Sequence, residues 1–380
     1  MNKFEIACRK FLARIISTRS LSGQEKKLSR IIAAEMRSLN YDEVRIDRLG
    51  SVVGRIGSGK KKILYDAHID TVGVADLDNW KTDPFKAVEK NGIIYGRGAV
   101  DDKGCVAAMI YAGARIKNDP TLKFHRQNDF SLYVSASVQE EVAEGYGINF
   151  LLKKTIRERP DCVIIGEPSD LKIIRGHKGR AEIKLTIKGR SSHASIPEKG
   201  QNAIYKALPV LNNIIALNKK YQQQKPTELG RPVISVTYIE TRNASLNTIP
   251  DNCSIYLDRR TIENENKKKI TAELKKISAG NTKIDYLKKY FNAWVLPEKH
   301  PLVQTAVATY QKVFQKNPEV ALWPFCTNGS FTMGERKIPT IGFGPGKEKY
   351  CHSANEQISF WAVLEAIKFY SLFPLILCEE

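Results

Sequence analysis

No two of the seven cysteines form a C-x-x-C pair, and their odd number shows no regular spacing. That excludes a thiolate zinc knuckle and a disulfide framework, and leaves the thiols as small core residues. No uninterrupted apolar run approaches the ~20 residues that cross a bilayer. Runs such as Leu372–Cys378 are short and fit a buried element, so no membrane partner is expected. Lys3, Glu5, Arg9, Lys10 and Arg14 interrupt the apolar N-terminal residues, which makes an amphipathic helix and not a signal peptide. With no targeting segment, a cytoplasmic location is expected. No G-x-S-x-G elbow occurs, which argues against serine catalysis. Gly54–Lys60 approximates a phosphate loop, but Lys61 stands where a Ser or Thr would hold magnesium, and a strand follows.

Acidic residues are also in short supply: 41 Asp and Glu face 60 Lys and Arg, a net charge of +19. The basic residues fall in scattered groups (Lys60–Lys62, Lys153-Lys154, Lys267–Lys269, Lys275-Lys276, Lys288-Lys289) without interleaved aromatics. This pattern reads as a solvated surface with no nucleic-acid partner, able to steer anionic small molecules.

A chain of 380 residues exceeds one compact core, so two domains are expected. Helical spacing marks residues 4–16 and Glu25–Leu39. Strands are expected at Val44–Ile46, Ser51–Ile56, Lys62–Ala67, Gly92–Tyr95, Phe130–Val138 and Cys162–Ile165, with a helix over Lys103–Ile116. This alternation implies an α/β sheet covered on both faces, whose ligands gather at strand ends. Near Lys178 the pattern becomes β-α-β-β-α-β, which suits a ferredoxin-like module. From about Asn292 the α/β pattern returns, with helices over Pro301–Phe314 and Ser359–Leu372. The expected organisation is a discontinuous domain of residues 1–177 and 291–380, with residues 178–290 inserted.

The residues that are present point to metal chemistry. His68 and Asp70 follow one strand. Asp101 follows a Gly-rich turn, Gly96–Gly104. Glu140 and Glu141 follow a second strand, Glu167-Pro168 a third, and His352 precedes the last helix. Residues two apart in extended chain face one side, so Asp70 can orient the imidazole of His68. Glycines let the backbone bend so that Asp101 points inward; Asp102 is expected to cap the helix or face solvent. Pro168 keeps Glu167 extended. Two imidazoles and three carboxylates suit a pair of zinc-like ions sharing one carboxylate, with cobalt or manganese as alternatives. Two such ions activate water and polarise a carbonyl. His125, His177 and His300 read as structural or surface residues.

His68-Ile69-Asp70, Gly96–Gly104, Glu140-Glu141, Glu167-Pro168, Ser192-His193 and His352 through Glu356 occur in an order that resembles the M20 family of metallopeptidases and deacylases. That family includes acetylornithine deacetylase, succinyl-diaminopimelate desuccinylase, carboxypeptidase G2 and peptidase T-like enzymes. Ser137–Glu141, Asp258–Arg260, Thr327–Gly329 and Gly342–Lys347 bring the chain nearest to its YgeY-like hydrolase branch. The resemblance implies a zinc-peptidase-like catalytic domain with a mixed sheet between helices, and an inserted α+β lid and dimerisation domain. It implies that His68 and Glu167 bind one zinc, that Glu141 and His352 bind the other, and that Asp101 bridges them. On the same resemblance Asp70 would support His68, and Glu140 would be the general base toward a metal-bridging water and return the proton to the leaving amine. His193 would stabilise the oxyanion from a neighbouring subunit in a homodimer. Asn247 and Arg260 match substrate-binding positions, Arg260 through a planar fork suited to carboxylate. Thr327-Asn328-Gly329 replaces a frequent Thr/Ser-Ser-Asp run at a further substrate position. The implied reaction is hydrolysis of an amide in a small N-acyl amino acid or short peptide, with a dipeptidase or aminopeptidase as the nearest alternative. A basic non-catalytic nucleic-acid binder would be marked by loss of a ligand or of Glu140, and none is lost.

Overall fold

The computed structural model describes residues 1–75, 77–123, 130–243, 245–278, 280 and 282–379; His125 lies outside them. In chain order the elements are α1 (Lys3–Ile16), α2 (Lys26–Ser38), β1 (Glu43–Ile46), β2 (Val52–Ile56), β3 (Lys61–His68), β4 (Val88–Lys90), β5 (Ile93–Tyr95), α3 (Gly104–Asn118), α4 (Pro120–Lys123) and β6 (Phe130–Ser137). Then come α5 (Tyr146–Phe150), β7 (Cys162–Ile165), β8 (Ile173–His177), β9 (Gly179–Lys188), α6 (Ala203–Gln223), β10 (Val233–Glu240), β11 (Asn252–Thr261), α7 (Lys267–Ile277) and β12 (Lys283–Tyr286). The rest are β13 (Trp294–Val295), α8 (Pro301–Phe314), β14 (Val320–Trp323), β15 (Thr340–Gly342), β16 (Gln357–Ser359) and α9 (Phe360–Leu377).

Two compact units result. The first comprises Met1–Gly176, Leu296–Trp323 and Thr327–Glu380, and the second His177–Val295 with Pro324–Cys326. The first unit holds a mixed sheet in the order β1-β2-β6-β3-β7-β15-β8. Its centre is parallel: β3 pairs with β6 and β7, and β7 with β15, whereas β2 runs antiparallel to β6. All eight residues of β6 are buried, as central strands covered on both faces require. Each large apolar side chain so buried contributes about 1.5–3 kcal/mol.

The last helix runs past its expected end at Leu372, to Leu377. α9 is long and apolar enough to span a bilayer by length and composition, and 67% of it is buried inside the protein. Counting uninterrupted runs concealed this, because Glu365 and Lys368 break the sequence while pairing with each other at 2.7 Å on the exposed face.

The second unit has the order β9-α6-β10-β11-α7-β12 and an antiparallel sheet arranged β10-β11-β9-β12. Inward positions of β9 (Ala181, Ile183, Leu185, Ile187) pack with Ala207, Val210, Ile214 and Leu217 of α6 and with Ile270 and Leu274 of α7. Alternation with period two on the strand and spacing of three to four on the helices places these residues on facing surfaces.

Candidate metal centre

The centre is built where parallel strands end. Across the β6-β3-β7 register, His68 lies opposite Ser137 and Asp66 opposite Ile165. Neighbouring strands are about 4.8 Å apart, so the segments leaving β3, β6 and β7 emerge side by side. They carry His68 and Asp70, Glu140 and Glu141, and Glu167.

His68 is buried at the end of β3. Its Nδ1 lies 3.0 Å from the carbonyl oxygen of Asp70. A carbonyl only accepts, so Nδ1 carries a proton, which leaves Nε2 as the nitrogen available to a cation. That Nε2 faces Asp101 Oδ1 at 2.9 Å and Glu167 Oε1 at 3.8 Å.

Asp101 is delivered by a bent turn. Gly98 takes φ +82°, which an L side chain rarely adopts, and Asp101 itself is non-helical at φ −128°, ψ 88°. Buried Glu356 holds the bend: its Oε1 accepts the N–H groups of Val100 (2.9 Å) and Asp101 (3.1 Å), and its Oε2 pairs with Arg97 at 2.7 Å. The two oxygens of Asp101 then face different imidazoles, Oδ1 toward His68 and Oδ2 toward His352 Nε2 at 3.2 Å. Asp102, joined to Asp101 by a cis peptide bond, neither caps a helix nor faces solvent as expected. The bend turns it inward, where it is fully buried and accepts the His68 backbone N–H at 3.2 Å.

The Glu140-Glu141 loop is fixed by other carboxylates. Glu25 Oε1 accepts from Gln139 N (3.1 Å), and Asp70 accepts from Glu140 N (2.9 Å) and Glu141 N (3.1 Å). Ser22 donates its hydroxyl to Asp70 at 2.6 Å. Glu140 is 5% exposed, and its Oε1 has no hydrogen-bond partner among the described residues. Glu141 Oε1 meets His352 Nε2 at 3.1 Å. His352 sits at φ +56° with half its side chain exposed.

Two three-residue groups emerge, His68-Asp101-Glu167 and Asp101-Glu141-His352. In each, one nitrogen and two carboxylate oxygens lie within 4.8 Å of one another, and Asp101 belongs to both. Imidazole nitrogens and carboxylate oxygens at these separations fit divalent cations of the zinc type. The electrostatics fit as well. Burial raises Glu140 and Glu167 well above the usual carboxylate range, and burial with the nearby Asp101 charge raises Glu141. Burial works against the charge on Asp101 too, but hydrogen bonds from His352 and His68 hold its carboxyl far down. Those same bonds raise both imidazoles: His68 well above its ordinary value against the effect of burial, and His352 to about 10, through Asp101 first and Glu141 second. The buried carboxylates and imidazoles thus favour neutralisation of the clustered negative charge, by protons or by cations.

The other expected site residues fall into two groups. Thr327, Asn328 and Gly329 belong to the first unit, and Thr327 and Asn328 are buried. His193, Asn247 and Arg260 belong to the second. There His193 is exposed, with Nδ1 2.7 Å from Ser195 Oγ and Nε2 3.4 Å from Asn247 Nδ2. Arg260 is held by Asp258 (2.7 and 3.2 Å), while Arg259, on the opposite face of β11, is buried over the Tyr221 ring. His300 caps α8, and buried His177 packs edge-on against Trp294. Glu25, Ser22 and the Arg97–Glu356 pair escaped the sequence reading. Of these, Arg97 and Glu356 carried a signal, as members of the Gly96–Gly104 and His352–Glu356 segments.

The sequence pattern of peptidase family M20/M25/M40 matches residues 64–375. The chain is 33% identical over 383 aligned positions to the uncharacterized protein YgeY of Escherichia coli (strain K12), covering 96% of this chain and 93% of that protein. It is 29% identical to acetylornithine deacetylase of Buchnera aphidicola subsp. Acyrthosiphon pisum (strain 5A), over 85% and 82% of the two chains. Its fold superposes on an M20 family metallo-carboxypeptidase, Sso-CP2 of Sulfolobus solfataricus, with a TM-score of 0.79 at 18% identity and full coverage of both chains. By the family pattern and by the relative that spans nearly its whole length, the chain belongs to peptidase family M20/M25/M40, the metal-dependent hydrolases of C–N bonds.

Proposed function

We propose that the chain is a dinuclear metal amidohydrolase that cleaves the amide bond of a small N-acyl amino acid or a short peptide. The observation that carries this reading is the sharing of Asp101 between two three-donor groups beside a buried carboxylate with an unused oxygen. His68, Asp101 and Glu167 would hold one ion and Asp101, Glu141 and His352 the other, with zinc the first candidate and cobalt or manganese able to replace it. The pair supplies Lewis acidity toward the amide carbonyl and lowers the pKa of water.

Glu140 is the proposed base, which would take a proton from the attacking water and hand it to the departing amine. Its high proton affinity from burial suits both halves of that task. Asp70 keeps the lone pair of His68 aimed inward and pins the backbone of Glu140 and Glu141 at once. Arg260, whose fork faces Asp258, is the proposed carboxylate contact, and Asn247 with His193 the proposed polar pair for the substrate carbonyl. The deacetylase relative favours the acyl amino acid class. A homodimer through the second unit is supported by its exposed apolar residues: Ile204, Tyr205, Leu208 and Ile215 on α6, and Tyr238 and Ile239 on the edge strand β10.

The test is a panel of N-acetyl and N-succinyl amino acids beside dipeptides, assayed with zinc, cobalt or manganese. Metal-dependent turnover of at least one amide is expected, and Glu140→Ala should keep its metal while losing about 10²–10⁴-fold in rate. Undiminished turnover by that variant removes Glu140 from the role of base.

A further inference from the structure

Asn328, expected from sequence among the substrate contacts, has its side chain committed elsewhere. It is 3% exposed. Its Nδ2 donates to Asp66 Oδ2 (2.8 Å) and to Ser137 Oγ (3.1 Å), and its Oδ1 accepts the N–H of Gly145 (2.6 Å). The orientation of the amide is fixed chemically, because a carboxylate only accepts and a backbone N–H only donates. Asp66 is itself buried and also takes the hydroxyls of Ser135 and Ser137.

The positions of these partners in the chain give the contact its meaning. Asp66 lies on β3, two residues before His68, so it belongs to the half of the centre formed by His68, Asp101 and Glu167. Gly145 closes the loop that carries Glu140 and Glu141, and at φ +81° it starts α5. The near end of that loop is already fixed by Glu25 and Asp70. Asn328 fixes the far end. One buried amide thus spans from the strand of the first half to the loop of the second.

We propose that Asn328 is a positioning residue that sets the separation of the two half-sites, holding Glu141 and Glu140 at a fixed distance from Asp101. The inference rests on the dinuclear reading above. An acid at this position could still accept from Gly145 but would confront the Asp66 carboxylate, whereas the amide satisfies both neighbours.

The test follows cobalt binding by visible absorption, together with kinetics on whichever amide the panel identifies. In N328A the first equivalent of cobalt should bind as in the unaltered protein. The second should weaken at least tenfold with a changed spectrum. The kcat should fall at least tenfold while KM stays within about twofold. N328D should show the same pattern, since it loses both donated bonds. A substrate contact behaves oppositely, and raised KM with two normal cobalt equivalents would overturn the proposal. If N328A does not fold, S137A removes one acceptor of the same amide. It should weaken the second equivalent several-fold, and an unchanged second equivalent there counts equally against the idea. An unaltered protein that binds two cobalt ions but hydrolyses no amide defeats the functional reading alone, since the metal titrations of the variants still decide Asn328.

Discussion

Glu140 donates its backbone N–H to Asp70 Oδ1 at 2.9 Å, and the same carboxylate lies 3.5 Å from His68 Nδ1. One residue therefore meets a metal-type ligand on β3, through its main-chain carbonyl at 3.0 Å and its carboxylate at 3.5 Å, and holds the backbone of the proposed base beyond β6 through the same carboxylate. Its own charge is secure. Burial opposes ionisation, but the hydrogen bond with His68 and the His68 charge keep the Asp70 carboxyl below its ordinary value.

Replacing Asp70 should thus damage binding and turnover together. Groups that orient a metal ligand typically contribute 10–100-fold in affinity or activity. Asp70→Asn keeps one acceptor for the loop and is expected near the lower end; Asp70→Ala removes both and is expected at the upper end or beyond. Zinc titration against a competing chelator, run beside kcat, checks this. Equal affinity in all three proteins would detach Asp70 from the centre.

Metal loading should release protons. His352 is raised to about 10 by hydrogen bonds with Asp101 and then Glu141, and His68 lies well above its ordinary value against burial, through Asp101 and Asp70. Both imidazoles are therefore shifted toward the protonated form in the metal-free chain, and a ligating nitrogen must be bare. The sign follows. The folded value of His352 exceeds the unfolded one of about 6.5, so its contribution to the metal-free fold is complete below that value and is lost as pH rises through about 10. Metal affinity accordingly rises with pH over that span. Calorimetric titrations in two buffers of different ionisation enthalpy measure the released protons, and equal heats in both buffers would contradict the assignment.

How far the centre could be read from sequence depended on what placed each residue. The His and carboxylate side chains that cluster at strand ends were legible because continuous, largely apolar runs on β3, β6 and β7, buried on both faces, show where each strand stops. The β-α-β-β-α-β order of the second unit was legible from a different pattern, the period-two alternation along β9. β8 was missed: Arg175, His177 and the glycine between them break any apolar run, yet all five of its residues are buried. Residues that act through distant backbone were illegible. Glu25 reaches Gln139 across 114 positions and Glu356 reaches Asp101 across 255. Asp102 was misread because a capping acid and an acid folded beneath His68 look alike in one dimension.

The Arg97–Glu356 pair supports a stability prediction separate from catalysis. Both side chains are almost wholly buried, and Glu356 also accepts two backbone N–H groups at the Asp101 bend. Removing one member of a buried pair strands the other, at a cost of about 3–5 kcal/mol. Glu356→Ala should lose about that much in urea unfolding of the metal-free protein. Glu356→Gln keeps the acceptor for Val100 and Asp101, so it should lose less. Identical midpoints for the two variants would show that the backbone bonds contribute nothing.

The outward face of α6 bears on the proposed dimer. Leu208 and Ile215 stand seven residues apart, about two helical turns, and both are exposed, while Ala207, Val210, Ile214 and Leu217 face the sheet. An apolar stripe beside an edge strand is a surface that gains from being covered, at about 25 cal/mol per Å² buried. Introducing acids there leaves the core untouched. Leu208→Asp with Ile215→Asp should keep the fold by circular dichroism and the metal content of the first unit, and shift sedimentation from dimer to monomer. If His193 serves a neighbouring subunit's centre, the same variant should lose kcat in step with dimer content, and raising protein concentration should restore part of it. A monomer that retains full kcat would leave His193 without a role across subunits, and an unaltered protein that sediments only as monomer would remove the interface altogether.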